Sequence, residues 1–249
     1  MLYPMLSIII PAYNESHRIL PTLRVLADFC DSHFERFEII VVDDGSTDGT
    51  ADLIAREAPS GRIRVLRLSE NRGKGHAVKC GMLDAKGRYR IFTDADLPYR
   101  LDALSMAAEA FRDDRCDIVT GDRGLACCGT QSQVGIGRRI AGKIFSAAVG
   151  ALFDIDVNDT QCGFKGFSDK AAEEIFSKTR IKGYAFDVEI FVLARSLQLK
   201  ICRIPVALVK HAGSKVRLTR DPFFMVADIV KIFLRARGSR RDAKVKENG

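Results

Sequence analysis

Phe37-Glu38-Ile39-Ile40-Val41-Val42-Asp43-Asp44-Gly45-Ser46-Thr47-Asp48-Gly49-Thr50 contains one complete structural unit. Phe37–Val42 is a nearly continuous apolar run, as expected of a parallel strand covered on both faces. It ends in two carboxylates and a cluster of Gly, Ser, Thr and Asp. Ser, Thr and Asp are good helix N-caps, and the spacing predicts a helix over Ala51–Glu57.

The same unit recurs on both sides. Before it, Leu6–Pro11 reads as a buried strand, followed by Ala12-Tyr13-Asn14-Glu15 and a helical pattern over Pro21–Phe29 with Pro near its first turn. After it come a strand at Ile63–Leu68, the glycine-bearing loop Asn71-Arg72-Gly73-Lys74-Gly75 and a helix at His76–Ala85. Then follow a strand at Tyr89–Thr93, a helix at Leu101–Phe111 and a strand at Cys116–Gly121. Strictly alternating strands and helices predict an α/β fold: a mostly parallel central sheet with helices on both faces and right-handed connections. After Arg123 the rhythm changes. Gly124–Gly137 reads as a loop, Arg138–Phe153 as a helix and Asp156–Phe167 as irregular, then strand-like. Ser168 caps a helix to Lys178, Asp187–Leu197 is helical, Lys200–Val209 is a strand or strand pair, and Pro222–Arg237 is a helix.

The whole chain carries a net charge of +7. From Arg195 onward, fourteen Lys/Arg stand against four Asp/Glu, so the preceding residues are slightly acidic. The basic excess suggests an anionic partner for the C-terminal part. Cys30, Cys80, Cys116, Cys127, Cys128, Cys162 and Cys202 are odd in number and irregularly spaced, without CxxC. This pattern favours reduced packing thiols and argues against zinc. There is no basic-then-apolar leader and no uncharged apolar stretch of about 18 residues, so no transmembrane helix is expected.

Four expected strand ends carry polar clusters: Tyr13-Asn14-Glu15, Asp43-Asp44, Asp94/Asp96 and Asp122-Arg123. Asp and Pro are common turn residues, and one such cluster could be turn chemistry. In a parallel sheet all four lie along one edge, where ligands of open α/β sheets bind. In Tyr89-Arg90-Ile91-Phe92-Thr93-Asp94-Ala95-Asp96-Leu97-Pro98, extended backbone would turn Asp94 and Asp96 to the same side. Two such carboxylates suit Mg²⁺ or Mn²⁺, with coordination positions left for phosphate oxygens. So acidic an edge would repel a bare anion, so a metal must bridge it to phosphates. The Asn71–Gly75 loop lacks both GxGxxG and GxxxxGK[ST]. The four histidines have no metal-ligand spacing.

Ile8–Glu15 (IIIPAYNE), Val41–Thr50 (VVDDGSTDGT), Asn71–Gly75 (NRGKG) and Asp94-Ala95-Asp96 together resemble the family 2 inverting glycosyltransferases of GT-A fold. Asp159–Lys165 (DTQCGFK) and Tyr184–Glu189 (YAFDVE) are similar to the dolichyl-phosphate glucosyltransferase subgroup rather than to the related mannose synthases. The resemblance runs to about Arg237. It implies a nucleoside pocket lined by Pro11, Ala12, Tyr13, Glu15 and Asp43, with Asp44 beside it. It implies nucleotide-sugar contacts from Lys74, Asp94, Ala95 and Lys215, and a divalent metal on Asp94 and Asp96. Arg123 and Arg139 would meet an acceptor phosphate, with Lys165 and Lys215 as further cations on the phosphate side. Asp159 would orient the acceptor or act as base. Leu97-Pro98 stands where relatives often have a polar residue, and His211 where the mannose synthases tend to have Arg.

The expected activity is transfer of a hexose, glucose first, from a UDP-sugar to a polyprenyl phosphate. Alternatives are a GDP-mannose donor, a sugar acceptor, and a nucleotide-sugar-binding protein without turnover. Residues 1–221 would form the catalytic domain. Residues 222–249, an amphipathic helix and basic tail, would bind an anionic membrane surface from the cytoplasmic side as a peripheral attachment. The same helix could pair with its copy in a homodimer. The site motifs give no support to nucleic-acid binding.

Overall fold

The computed structural model describes residues 5–58, 61–112, 115–125, 149–155, 159–209 and 225–237. Its first part runs β1 (Leu6–Ala12), α1 (Ile19–His33), β2 (Phe37–Asp43), α2 (Thr50–Glu57), β3 (Ile63–Arg67), α3 (Lys74–Asp84), β4 (Tyr89–Phe92), α4 (Asp102–Arg112) and β5 (Ile118–Asp122). These match the expected alternation to within a few residues at each end. There follow β6 (Lys165–Ser168), α5 (Asp169–Phe176), α6 (Phe186–Ser196) and β7 (Ile201–Pro205). Residues 149–153 and 225–237 are also helical. The expected loop Gly124–Gly137 and helix Arg138–Phe153 fall mostly outside the described residues.

The seven strands form one sheet in the order β3-β2-β1-β4-β6-β5-β7. β1 pairs in parallel with β2 and β4, β2 with β3, and β5 with β7. β6 lies antiparallel between β4 and β5. β1, β2, β4 and β5 therefore point the same way, and their C-terminal ends share one edge.

The apolar runs are continuous because the sheet is covered on both sides. Ile8, Ile10, Ile39, Val41 and Ile91 pack in one layer with Leu23 and Leu26 of α1 and Leu104 and Phe111 of α4. The intervening Ile9, Ile40, Val42 and Phe92 pack in the other layer with Val78 and Met82 of α3, Phe176 of α5 and Phe186 of α6. Ser168 caps α5 as expected, its Oγ accepting from the Ala171 N–H at 3.2 Å.

The helix of residues 225–237 has two apolar faces. Ile232 is buried in the second layer, and Met225, Ile229 and Phe233 pack against it. Phe233 meets Phe153 edge-on at 6.2 Å, and Arg235 reaches the buried Glu189 at 3.4 Å. Val226, Val230 and Leu234, spaced four apart, are 60%, 51% and 63% exposed.

One expectation about the cysteines is overturned. Cys116 and Cys202 form a disulfide, with Cα atoms 5.7 Å apart. They are 86 residues apart in sequence, and only the β5–β7 pairing brings them together. Spacing along the chain could not reveal that. Cys30, Cys80 and Cys162 are free thiols.

Candidate active site at the sheet edge

The loops after β1 and β2 are laced together by short polar side chains. Asn14, in the left-handed region at φ 53°, donates its N–H to Ser46 Oγ at 2.9 Å, and its Oδ1 accepts from Thr47 N–H at 2.9 Å. Glu15 N–H donates to Thr50 Oγ1 at 2.9 Å and Ser16 N–H to Asp48 Oδ2 at 3.0 Å. The lacing fixes Pro11, Ala12 and Tyr13 beside the end of β2, with Tyr13 exposed.

The two carboxylates at the end of β2, Asp43 and Asp44, divide their work. Asp44 accepts from the N–H groups of Arg72 at 3.0 Å and Gly73 at 2.8 Å, so it anchors the Asn71–Gly75 loop. Asp43 is equally buried, yet its Oδ1 has no hydrogen-bond partner. A buried acceptor left unpaired is costly, and a ligand N–H would satisfy it. Gly73 sits at φ 101°, and a Cβ there would lie 2.7 Å from Lys182 O. The loop thus needs glycine, and it delivers Lys74 to Asp94, with which it forms an ion pair.

The aspartate pair is not held in extended backbone, as the sequence reading expects. β4 ends at Phe92, and Asp94–Leu97 is a turn closed by Leu97 N–H donating to Asp94 O at 3.0 Å. Leu97 lies at φ 42°. The two carboxylates consequently meet different cations, Asp94 facing Lys74 and Asp96 lying 3.8 Å from Arg18. Ala95 O accepts from Thr22 Oγ1 at 2.9 Å, tying the turn to α1. No group of three His, Cys, Asp or Glu side chains suited to a metal occurs among the described residues. Two charged hard-oxygen donors fit Mg²⁺ or Mn²⁺ as a partial set, to be completed by phosphate oxygens and water.

Arg18 is a site residue that the sequence reading missed. It bonds Glu15 and faces Asp96, tying a nucleoside-pocket residue to the aspartate pair. Its i,i+3 spacing from Glu15 was the available signal.

Across the edge, Arg123 forms a bidentate pair with Asp159: Nη2 to Oδ1 at 2.6 Å and Nε to Oδ2 at 2.7 Å. That hydrogen bonding, above all else, raises the guanidinium pKa further. Asp122 is buried and accepts from Gly124 N–H at 2.7 Å. From Asp159 the chain returns toward the aspartates. Gly163 donates its N–H to the buried Tyr99 hydroxyl at 3.1 Å, and a Cβ on it would run into Asp94 Oδ2. In this segment Thr160 Oγ1 and Gln161 Nε2 are buried without partners.

Lys165 does not stand where an acceptor phosphate could meet it. Its side chain is 0% exposed. The ammonium donates to Cys162 O and Asp187 Oδ1, each at 2.6 Å, and lies near the rings of Phe92 and Phe191. Lys165 opens β6 opposite Phe92, so its side chain points into the core layer. Its expected role as a cation on the phosphate side is withdrawn. Arg139, Lys215 and His211 lie outside the described residues.

Residues 7–176 match the family described as "Glycosyl transferase family 2". A dolichyl-phosphate beta-glucosyltransferase of Dictyostelium discoideum is 34% identical over 92% of this chain and 74% of its own length. The enzyme of that name from Saccharomyces cerevisiae is 33% identical over 91% and 73%. Among solved structures, glucosyl-3-phosphoglycerate synthase from Mycobacterium tuberculosis, in complex with UDP, superposes with a TM-score of 0.67. It is 20% identical and covers 94% of this chain and 80% of its own. Mannosyl-3-phosphoglycerate synthase from Rubrobacter xylanophilus superposes with a TM-score of 0.69 at 16% identity, covering 97% and 75%. These structures share the GT-A fold with this chain.

Proposed function

Because the chain belongs to glycosyl transferase family 2 and is a glycosyltransferase, we infer that it moves glucose from UDP-glucose to the phosphate of a polyprenyl lipid of the dolichyl type. The observation that carries this reading is the closure of Gly163 onto Asp94. It brings the segment that begins at Asp159, the partner of Arg123, back to Asp94, which supports reading Arg123 as a phosphate-binding cation near the carboxylates of a donor site. The names of the Dictyostelium and yeast relatives support the choice of sugar and acceptor, and the neighbour that binds UDP supports the nucleotide.

The residues divide the work as follows. Asp43 Oδ1 accepts an N–H of the nucleobase. Asp94 and Asp96 would hold Mg²⁺ or Mn²⁺, which when bound would supply positive charge at the leaving diphosphate. Lys74 adds a cation beside them. A phosphate acceptor is largely ionised near pH 7 and needs orientation more than a strong base. Arg123 offers it a planar fork that matches its oxygens. Asp159 occupies that fork in the structure. An arriving phosphate competes for it and leaves the Asp159 carboxylate beside the acceptor. Attack on the anomeric carbon from the face opposite the diphosphate inverts the configuration.

We place this reaction at the cytoplasmic face of a membrane. No helix among the described residues is long and apolar enough to cross one, and the exposed stripe Val226-Val230-Leu234 suits peripheral attachment. The test is a panel of labelled UDP-glucose, UDP-GlcNAc and GDP-mannose with polyprenyl phosphate, followed by solvent extraction of lipid. Label should enter lipid from UDP-glucose, and vanish with EDTA and in Asp96→Asn while that variant keeps its melting temperature. Transfer from GDP-mannose alone would move the chain to the mannosyl reading. Full activity in EDTA would remove the metal.

A further inference from the structure

Glu189, on α6, is a buried carboxylate that takes no part in the reaction outlined above. Its Oε2 accepts from two successive backbone N–H groups, Arg180 at 2.9 Å and Ile181 at 2.7 Å. Its Oε1 faces Arg235 of the last described helix at 3.4 Å. Taking a carboxylate out of water is costly, and two amide donors could be met by a neutral acceptor. The charge makes both bonds stronger than neutral ones. The turn at residues 180–182 is therefore held more firmly than its own backbone requires.

What this turn carries is the start of α3. Thr179 O accepts from Lys79 Nζ at 2.7 Å, and Lys182 O accepts from His76 N–H at 3.2 Å. A Cβ at Gly75 would lie 2.7 Å from Ile181 O, and one at Gly73 2.7 Å from Lys182 O. Both glycines thus lie against carbonyls of the turn with no slack between them, and a shift of the turn moves the loop with it. On the far side of these contacts Gly73 N–H donates to Asp44 at 2.8 Å, and Lys74 pairs with Asp94. Direct contacts therefore run from Glu189 to two carboxylates of the donor site.

We propose that Glu189 is a positioning residue of the donor site: by holding the amides of Arg180 and Ile181 it fixes the turn on which the start of α3 rests, and so keeps Gly73 and Lys74 in place beside Asp44 and Asp94. The proposal rests on the reading above that the nucleotide-sugar binds at these carboxylates.

Calorimetry of UDP in the presence of Mg²⁺ measures the donor side, and the KM for polyprenyl phosphate measures the acceptor side. Glu189→Met removes the acceptor of both amides with little change of volume. It should weaken UDP binding by about tenfold, a size usual for coupling within one hydrogen-bond network, and leave the acceptor KM close to the parent's. Parental UDP affinity in a cooperatively melting Glu189→Met overturns the proposal. So does a matching rise in the acceptor KM, since a general loosening of the fold would raise both. Glu189→Gln keeps an oxygen for the two amides and gives up the charge that faces Arg235, so it should lose clearly less UDP affinity than Glu189→Met. An equal loss in the two variants also overturns the proposal, because the amide bonds would then not be the means. If Glu189→Met does not fold, Glu189→Asp, which draws the carboxylate back by one methylene, takes its place with the same outcomes. Failure of UDP to bind the parent protein would instead overturn the donor-site reading itself, and this proposal with it.

Discussion

Replacing a hydrogen of Gly163 by a methyl group puts carbon against Asp94 Oδ2. Asp94 must then move, and with it the lysine and any metal it holds. A displacement of about 1 Å at a reacting centre can cost about a hundredfold. Gly163→Ala should therefore lower kcat/KM for sugar transfer by about that factor. Its circular-dichroism melt should stay close to the parent's, since no core contact is lost. Activity within twofold of the parent would mean that Gly163 does not set the position of Asp94. At this scale the sequence was only half readable. Asp159–Lys165 stands out as a motif, and its most chemical-looking member, Lys165, reads as a phosphate contact. Residues of a strand alternate sides, and which side Lys165 takes depends on β6 slotting between β4 and β5. Nothing local records that choice. The glycine, with no chemistry of its own, turned out to be the point of contact.

Among the elements, α2 shows how the strand-end loops are held. Asp48 accepts from Thr50 N–H at 3.0 Å and from Ser16 N–H at 3.0 Å, so one carboxylate fixes the start of α2 to the loop after β1. Burial works to raise its pKa, but the hydrogen bonds from Thr50 and Ser16 outweigh it and hold the carboxyl well below its ordinary range. A carboxyl depressed by folding contributes stability above its unfolded pKa and loses it as the pH falls through the folded value. Asp48→Ala should lower stability by about 1 kcal/mol at pH 7, a modest figure because the site is exposed. The gap should be constant above about pH 5 and narrow progressively below about pH 4. Urea melts of both proteins across this range check it, and a gap as wide at pH 3 as at pH 7 would exclude the ionised carboxylate as the source. β1 and β2 were readable because their apolar runs are long and almost wholly buried, and the shorter β3, β4 and β5 because they alternate with helical patterns. β6 was not readable as an antiparallel insert, nor Cys116–Cys202 as a pair, because both depend on neighbours distant in sequence. The turn at Asp94–Leu97 escaped too: a positive φ at Leu97 is rare for such a residue, and extended backbone was the simpler expectation.

The whole molecule is electrically lopsided, with its basic excess beyond Arg195. Its last described helix, residues 225–237, spends one apolar face on the core. It leaves Val226, Val230 and Leu234 outside, each more than half exposed. A core helix needs no such second stripe, and a helix that only lay on lipid would not bury Ile232 or tie Arg235 to Glu189. The arrangement fits a helix fixed to the enzyme on one side and seated in a bilayer interface on the other. Arg240, Arg241, Lys244 and Lys246 follow in sequence, and each basic residue near an anionic leaflet contributes about 1 kcal/mol. Flotation with vesicles of phosphatidylcholine and phosphatidylserine separates the two contributions. The full chain should float at low salt and less so as ionic strength rises, because screening shortens the reach of the tail. Val226→Ser, Val230→Ser and Leu234→Ser together should weaken flotation at every salt concentration while leaving the melting temperature and the turnover of a short-chain soluble acceptor near the parental values, because the inner face is untouched. Removing the four tail charges should instead flatten the salt dependence. If the triple serine variant floats as well as the parent, the stripe is not a lipid contact. If its elution volume shifts while flotation holds, the stripe pairs with its own copy in a dimer.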